Sequence, residues 1–349
     1  MTPPIGINKV TCLTNSDTIV GIPFRKEGSR STLTSGAPLA VDGAPDYREI
    51  PLSALTLEAD SLSKHYLHFT SGARDGRWYN IVANSSNSVT IDLNGDSLDG
   101  VVSGDRITIA EYWTLDTLFP PDQATTGWAE DPENPGTYIQ NGHAIVASSS
   151  TSLRNRKTRL FIPDTVDDGI NFAARETLYI ANELWYNAKG DVPVDADFVL
   201  SPDSFITISH PVTVTHPTHF RSSGEVLLSN MSIPLHSISS GAQDNHLALQ
   251  RPVDIRIDQL NLIESGAFTP SNGTSLRNRK DVVFLYDNSK ADVNRSADKT
   301  LYHDGTTWRN AQGDIEASDQ IVPASAGFII RKASSATPVT IFWQNQPTY

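Results

Sequence analysis

Asp92-x-Asn94-x-Asp96-x-x-Asp99 sets four oxygen-bearing side chains close together, the residue types from which a Ca²⁺ loop is built. An EF-hand loop needs its glycine at the sixth position and a bidentate Glu at the twelfth. Here Gly95 stands fourth and Ser103 occupies the twelfth place, so an acidic turn is the favoured reading. Ca²⁺ is the one cofactor the chain could hold. His210, His216 and His219 also lie close in sequence, but on one extended strand His210 and His216 would stand ~20 Å apart. Only a bend at Pro211 or Pro217 would bring them to one metal. No nucleophile elbow, phosphate loop, zincin helix or Cys/His pair is present. Carboxylates are plentiful, yet no two are singled out as an acid/base pair. Trp78, Tyr79, Trp128 and Tyr138 sit near turns, where exposed rings could stack on a sugar. Core and interface packing is the competing use of the same rings.

The elements that must position these residues are β-strands. The chain of 349 residues is long enough for two or three domains. Its 21 Pro and 22 Gly, with Ser and Thr filling about a fifth of the positions, exclude a helical bundle or coiled coil. A net charge of −13 argues against a nucleic-acid partner, which needs clustered Lys and Arg. No apolar run is long enough to span a bilayer as a helix, so no membrane insertion is expected. Cys12 is the only cysteine, which rules out an internal disulfide. The segment Met1–Gly6 has no secretory signal pattern. The composition nevertheless fits an exported protein whose signal has been removed.

The strongest sequence feature is a duplication. Thr151-Ser-Leu-Arg-Asn-Arg-Lys157 recurs as Thr274-Ser-Leu-Arg-Asn-Arg-Lys280, at an offset of 123 residues. The same offset pairs Tyr179 with Tyr302, Trp185 with Trp308, Gly190-Asp191 with Gly313-Asp314, and Phe205-Ile206 with Phe328-Ile329. Over residues 151–208 it gives 22 identities in 58 positions without a gap. A period this long is a module, not a solenoid repeat. The retained Trp and Phe read as core anchors, and the retained Asn, Gly and Asp as turn formers. Of the acidic cluster Asp164, Asp167 and Asp168, the second copy keeps only Asp287.

Before the repeats, four alternating strands between Tyr66 and Ile109, spaced by Gly and Asn turns, predict a small SH3-like barrel. Residues 29–47 read as a loop, and 52–62 as room for a short helix. The expected architecture is all-β with little helix: an N-terminal strand and loop region (1–64), the barrel (65–120), a first sandwich- or barrel-like repeat (121–223), and linker strands with a second repeat (224–349).

Several motifs in this order resemble a verrucomicrobial family of paralogous, predicted exported β-rich proteins of unassigned function. They are Ser16-Asp-Thr-Ile-Val-Gly-Ile-Pro-Phe24, Phe69-Thr-Ser-Gly72 with Arg77-Trp78-Tyr79, Gly104-Asp105-x-Ile107 with Tyr112-Trp-Thr-Leu115 and Leu118-Phe-Pro120, and Gly327-Phe-Ile-Ile-Arg331. The resemblance implies export and an extracellular or cell-surface role, and no chemistry.

These readings favour a non-catalytic structural protein that self-assembles into a filament or surface layer, its own copies being its partners. The stretch Ile5–Val20 has no evident hairpin partner and could complete a neighbour's sheet by strand donation. The alternative is a glycan-binding protein acting on polysaccharide through its aromatic turns, and a polysaccharide hydrolase is a third possibility.

Overall fold

A computed structural model describes residues 3–347. The fold is all-β, with 42% strand against 6% helix, and it contains a closed six-stranded barrel. The expected fold class therefore holds, but its parts are divided differently along the chain.

The barrel runs in the order Arg30–Thr34, Arg106–Glu111, His65–Phe69, Trp78–Asn84, Ser88–Asp92, Ala44–Ser53, and it closes by pairing Leu33 with Ser53 and Thr34 with Leu52. Two of its six strands thus come from the stretch expected to be strand, loop and helix before residue 65. Residues 29–47 are not a loop: they hold Arg30–Thr34, Leu39–Val41 and the start of Ala44–Ser53. No helix forms over 52–62; Leu57 and Leu62 instead turn their side chains into the barrel core beside Ile50, Phe69, Ile81 and Ile107. Ser/Gly/Pro-rich composition disguised these strands because their outer faces are solvated and carry little apolar alternation.

The two repeats are larger than the matched segments. The first forms a six-stranded sheet in the order Val192–Pro193, Leu184–Asn187, Glu176–Ala181, Arg159–Ile162, Ile206–His210, Ser16–Val20. The second forms its counterpart, Ile315–Glu316, Trp308–Asn310, Lys299–His303, Val282–Leu285, Gly327–Lys332, Gln243–Ala248. A second layer is also duplicated. Ile5–Cys12 pairs with Thr218–Val226 as Met231–Ser237 pairs with Val339–Asn345. Trp113–Thr114 pairs with Val199–Leu200 as Ile255–Arg256 pairs with Ile321–Val322. Each of these last strands runs into one helical turn, Leu115–Leu118 or Ile257–Gln259.

The first copy therefore begins at Ile5, not at residue 121, and the supposed linker after residue 224 is the start of the second copy. The barrel is an insertion in the first copy. Ile22 reaches Trp113 only by way of the barrel, whereas Leu249 in the second copy reaches Ile255 directly. The hairpin Trp128–Glu130 with Tyr138–Gln140 is a second insertion in the first copy.

Strand pairing also corrects the repeat alignment. Phe161 lies opposite Thr207, and its equivalent Phe284 lies opposite Ile329, so the offset on that strand is 122. Ile206 and Phe328 are the true counterparts, both buried, and Phe205 corresponds to Gly327. The turn after Val194 is one residue longer in the first copy, and the Phe/Phe match in sequence is accidental. The expected anchors hold: Trp185 and Trp308 are buried in the two cores. Asn187 and Asn310 cap the following turns through the amides of Lys189 and Gln312.

The two copies meet through a reciprocal set of bonds about a pseudo-two-fold axis. The Asp17 amide donates to the Asp292 carbonyl and its carboxylate accepts from the Asn294 amide, each at 2.8 Å. The Asp244 amide donates to the Gly169 carbonyl at 2.8 Å and its carboxylate accepts from the Asn171 amide at 2.9 Å. The Gly21 amide donates to Ser325, and the Ala248 amide to Asp203.

Candidate functional site

Three places gather residues with chemical potential: the outer poles of the two sheets, a cleft beside the junction, and the inserted hairpin.

At each pole the duplicated heptapeptide forms a turn, Leu153–Asn155 or Leu276–Asn278, that packs beside the last turn of its sheet. The Arg156 guanidinium lies over the Tyr179 ring and pairs with Asp191, and the Tyr179 hydroxyl donates to the same carboxylate at 2.7 Å. Arg279, Tyr302 and Asp314 repeat this arrangement, with a hydroxyl–carboxylate distance of 2.8 Å. Burial, together with the Asp191 contact, pushes the Tyr179 hydroxyl up to about 12, so it remains a donor at neutral pH. This clasp explains why Arg156, Tyr179 and Asp191 recur. It leaves Leu153-Arg154 and Leu276-Arg277 without an internal role: each Leu is 74% exposed, and both Arg side chains are exposed. Beside them Val192 and Ile315 are also exposed, on the outermost strand of each sheet. Both poles lie five strands away from the junction.

The cleft, about 640 Å³, opens where the barrel meets the junction of the two copies. It draws Trp78, Tyr79, Asp92, Asn94 and Asp96 to one place, together with Asp203, His236 and His246 from the repeats. Tyr79 is not an exposed platform. Its ring is buried edge-on against Phe69 and its hydroxyl donates to Asp96, because strand alternation turns it into the barrel core. Trp78 packs edge-on against Tyr66 and Tyr112 on the face the barrel turns to the second copy, so much of its ring is committed to that interface. The acidic turn does not converge. Asp96 faces Arg74 and Arg77, Asp92 accepts from the Asn94 amide, and Asp99 accepts from the Ser97 hydroxyl. Among the described residues no three His, Cys, Asp or Glu side chains gather around one point.

The inserted hairpin brings Trp128 and Tyr138 together, with the His216 ring 5.4 Å from the first and 4.3 Å from the second. His216 thus occupies one side of both rings. His210 lies elsewhere, buried between Thr158 and Thr218, where loss of solvent lowers it to about 4 and keeps it neutral. His219 contacts Thr11 at 3.3 Å. The three histidines therefore serve three different environments. Cys12 is buried, and burial pushes its thiol up to about 11.

The junction roles of Asp17, Asp244 and His246 leave no repeat signal in the sequence, because Ser16-Asp17-Thr18 and Gln243-Asp244-Asn245 share a single residue. The exposed Leu153 and Leu276 were present in the heptapeptide, whose complete identity is the signal that marks the poles. Among the described residues no helix is long and apolar enough to cross a membrane. No family model matches the chain, and neither a curated protein nor a solved structure matches it.

Proposed function

We propose that the protein is a non-catalytic, exported structural subunit that associates with its own copies through the two poles. The observation that carries this reading is the pair of exposed Leu-Arg turns, kept identical in two copies that otherwise share fewer than half their residues. Side chains this exposed contribute little to their own core, and an exposed leucine beside an arginine suits burial against another protein. Two equivalent poles on the far edges of two sheets give each subunit two contacts, which is what a linear array needs. The net charge of −13 favours an arginine-tipped contact with the acidic surface of a neighbour.

Ile5–Val20 is not free to donate a strand to a neighbour. Ile5–Cys12 pairs along its whole length with Thr218–Val226, and Ser16–Val20 pairs with Ile206–His210 in the same chain. Deleting this segment would strip both layers of the first copy rather than free a folded monomer.

Light scattering across a concentration series, with negative-stain microscopy, tests the reading. Ordered polymers are expected for the parent protein. Leu153→Asp with Leu276→Asp should leave the unfolding midpoint unchanged, since both sites are exposed, and weaken association at least about tenfold, as losing one buried leucine contact worth ~1.5–3 kcal/mol requires. A parent protein that stays monomeric at every concentration defeats the reading.

A further inference from the structure

We propose that the cleft holds a receptor notch for a primary carboxamide, presented by an Asn or Gln side chain of a peptide, at the backbone of His246. The junction itself supplies the template. On the strand Ser16–Val20, the amides of Asp17, Ile19 and Gly21 point outward across the pseudo-two-fold. The outer two bond the backbone of the other copy, and the middle residue is clamped by the Asn288 carboxamide. Asn288 Oδ1 accepts from the Ile19 amide at 3.1 Å, and Asn288 Nδ2 donates to the Ile19 carbonyl at 2.9 Å.

The second copy repeats the frame without the clamp. Asp244 and Ala248 bond outward as Asp17 and Gly21 do, so strand alternation points the amide and carbonyl of His246 outward between them. The position equivalent to Asn288 is Thr165. The turns match, since Asp164 and Asp287 both accept from the amide two residues on. Threonine is too short and has no amide to span the same gap. His246 and Thr165 both line the cleft, and the His246 backbone has no hydrogen-bond partner among the described residues. The His246 ring packs against Phe172 and Phe205 and leaves its backbone to face the cleft.

An outward donor and acceptor on one residue select a group that accepts and donates in one plane, which a carboxamide does and a carboxylate does not. The charges nearby are largely paired, Asp244 with Arg331 and Asp96 with Arg77, so selection rests on the donor and acceptor of the notch itself. Openings on either side are closed by the bonds from Asp244 and Ala248, so one residue is admitted rather than a whole strand. This inference is independent of self-association through the poles.

Native-state hydrogen exchange and a peptide titration, both followed by NMR on the whole chain, test it. In the free protein the His246 amide should exchange at least tenfold faster than the Ile19 amide. Acetyl-Gly-Gln-Gly-N-methylamide, whose only primary carboxamide is the Gln side chain, should shift the His246 and Thr165 signals saturably, and acetyl-Gly-Glu-Gly-N-methylamide should bind at least tenfold more weakly. The exposed substitution Thr165→Asn should supply the missing clamp from within, slowing His246 exchange towards that of Ile19 and abolishing the peptide response. Equal protection of the two amides in the parent protein, equal response to the Gln and Glu peptides, or no saturable response at all would overturn the proposal.

Discussion

At the scale of single residues, the duplication offers an internal comparison of two solutions to one packing problem. His210 and Lys332 occupy equivalent positions, as do Thr158 and Asp281. In the first copy the Thr158 hydroxyl accepts from the Val146 amide and meets His210, a neutral arrangement. In the second the same amide position is Thr269, which donates to the Asp281 carboxylate, and Asp281 pairs with Lys332 in nearly complete burial. Lys332 also donates to the Ala267 carbonyl, so both charges are held by backbone as well as by each other. Removing one partner strands the other in a low-dielectric core. Lys332→Met should therefore cost about 3–5 kcal/mol in chemical denaturation. Lys332→His combined with Asp281→Thr, which copies the first unit, should recover most of that loss. A single variant as stable as the parent would mean that the buried pair adds no net stability to the fold.

At the scale of elements, what could be read from sequence depended on whether a strand carries its pattern on its own residues. Glu176–Ala181 and Leu184–Asn187 were legible because their anchors and turn residues recur. Arg30–Thr34 and Ala44–Ser53 were not, because their stability comes from closing a barrel with strands far along the chain. The one-residue slip after Val194 was hidden by a chance Phe match, and only hydrogen-bond register exposes it. That slip has an energetic consequence at the junction. It sets Gly327 in the place that Phe205 fills in the other copy, and a Cβ built on Gly327 would lie 2.5 Å from the Phe205 Cβ and 2.6 Å from the Ile19 Cγ2. The pseudo-symmetric pair is thus one large ring and one absent side chain. Gly327→Ala forces the two copies apart and should cost about 1–3 kcal/mol, seen as a lowered unfolding midpoint. An unchanged midpoint would show that the junction yields without loss, and that the ring does not fix the copies' spacing.

At the scale of the whole molecule, the inserted barrel separates what builds the body from what decorates it. The barrel has its own core, centred on Ile50, Leu67, Phe69, Val89, Ile91 and Ile107, and leaves the first copy between Arg25 and Trp113. The second copy makes the same crossing with the short segment between Leu249 and Ile255, so it supplies a natural template for closing the gap. Excising residues 26–111 and joining Arg25 to Tyr112 through one glycine, which restores the five-residue crossing of the second copy, should leave both repeat cores and the reciprocal Asp17 and Asp244 bonds intact. Some stability must be lost, because His68 bonds Arg25 and the Asn230 carbonyl, and Tyr66 and Trp78 cover part of the body. The excised body should still unfold in one cooperative step, with the midpoint lowered. The cleft loses a wall, but the poles, five strands from the junction in each sheet, are untouched. If association runs through Leu153 and Leu276, the barrel-less protein should polymerise over the same concentration range as the parent and lose that ability with the same two Asp substitutions. A folded, barrel-less protein that no longer associates would move the contact from the poles to the barrel, and the retained Leu-Arg turns would then need a different partner.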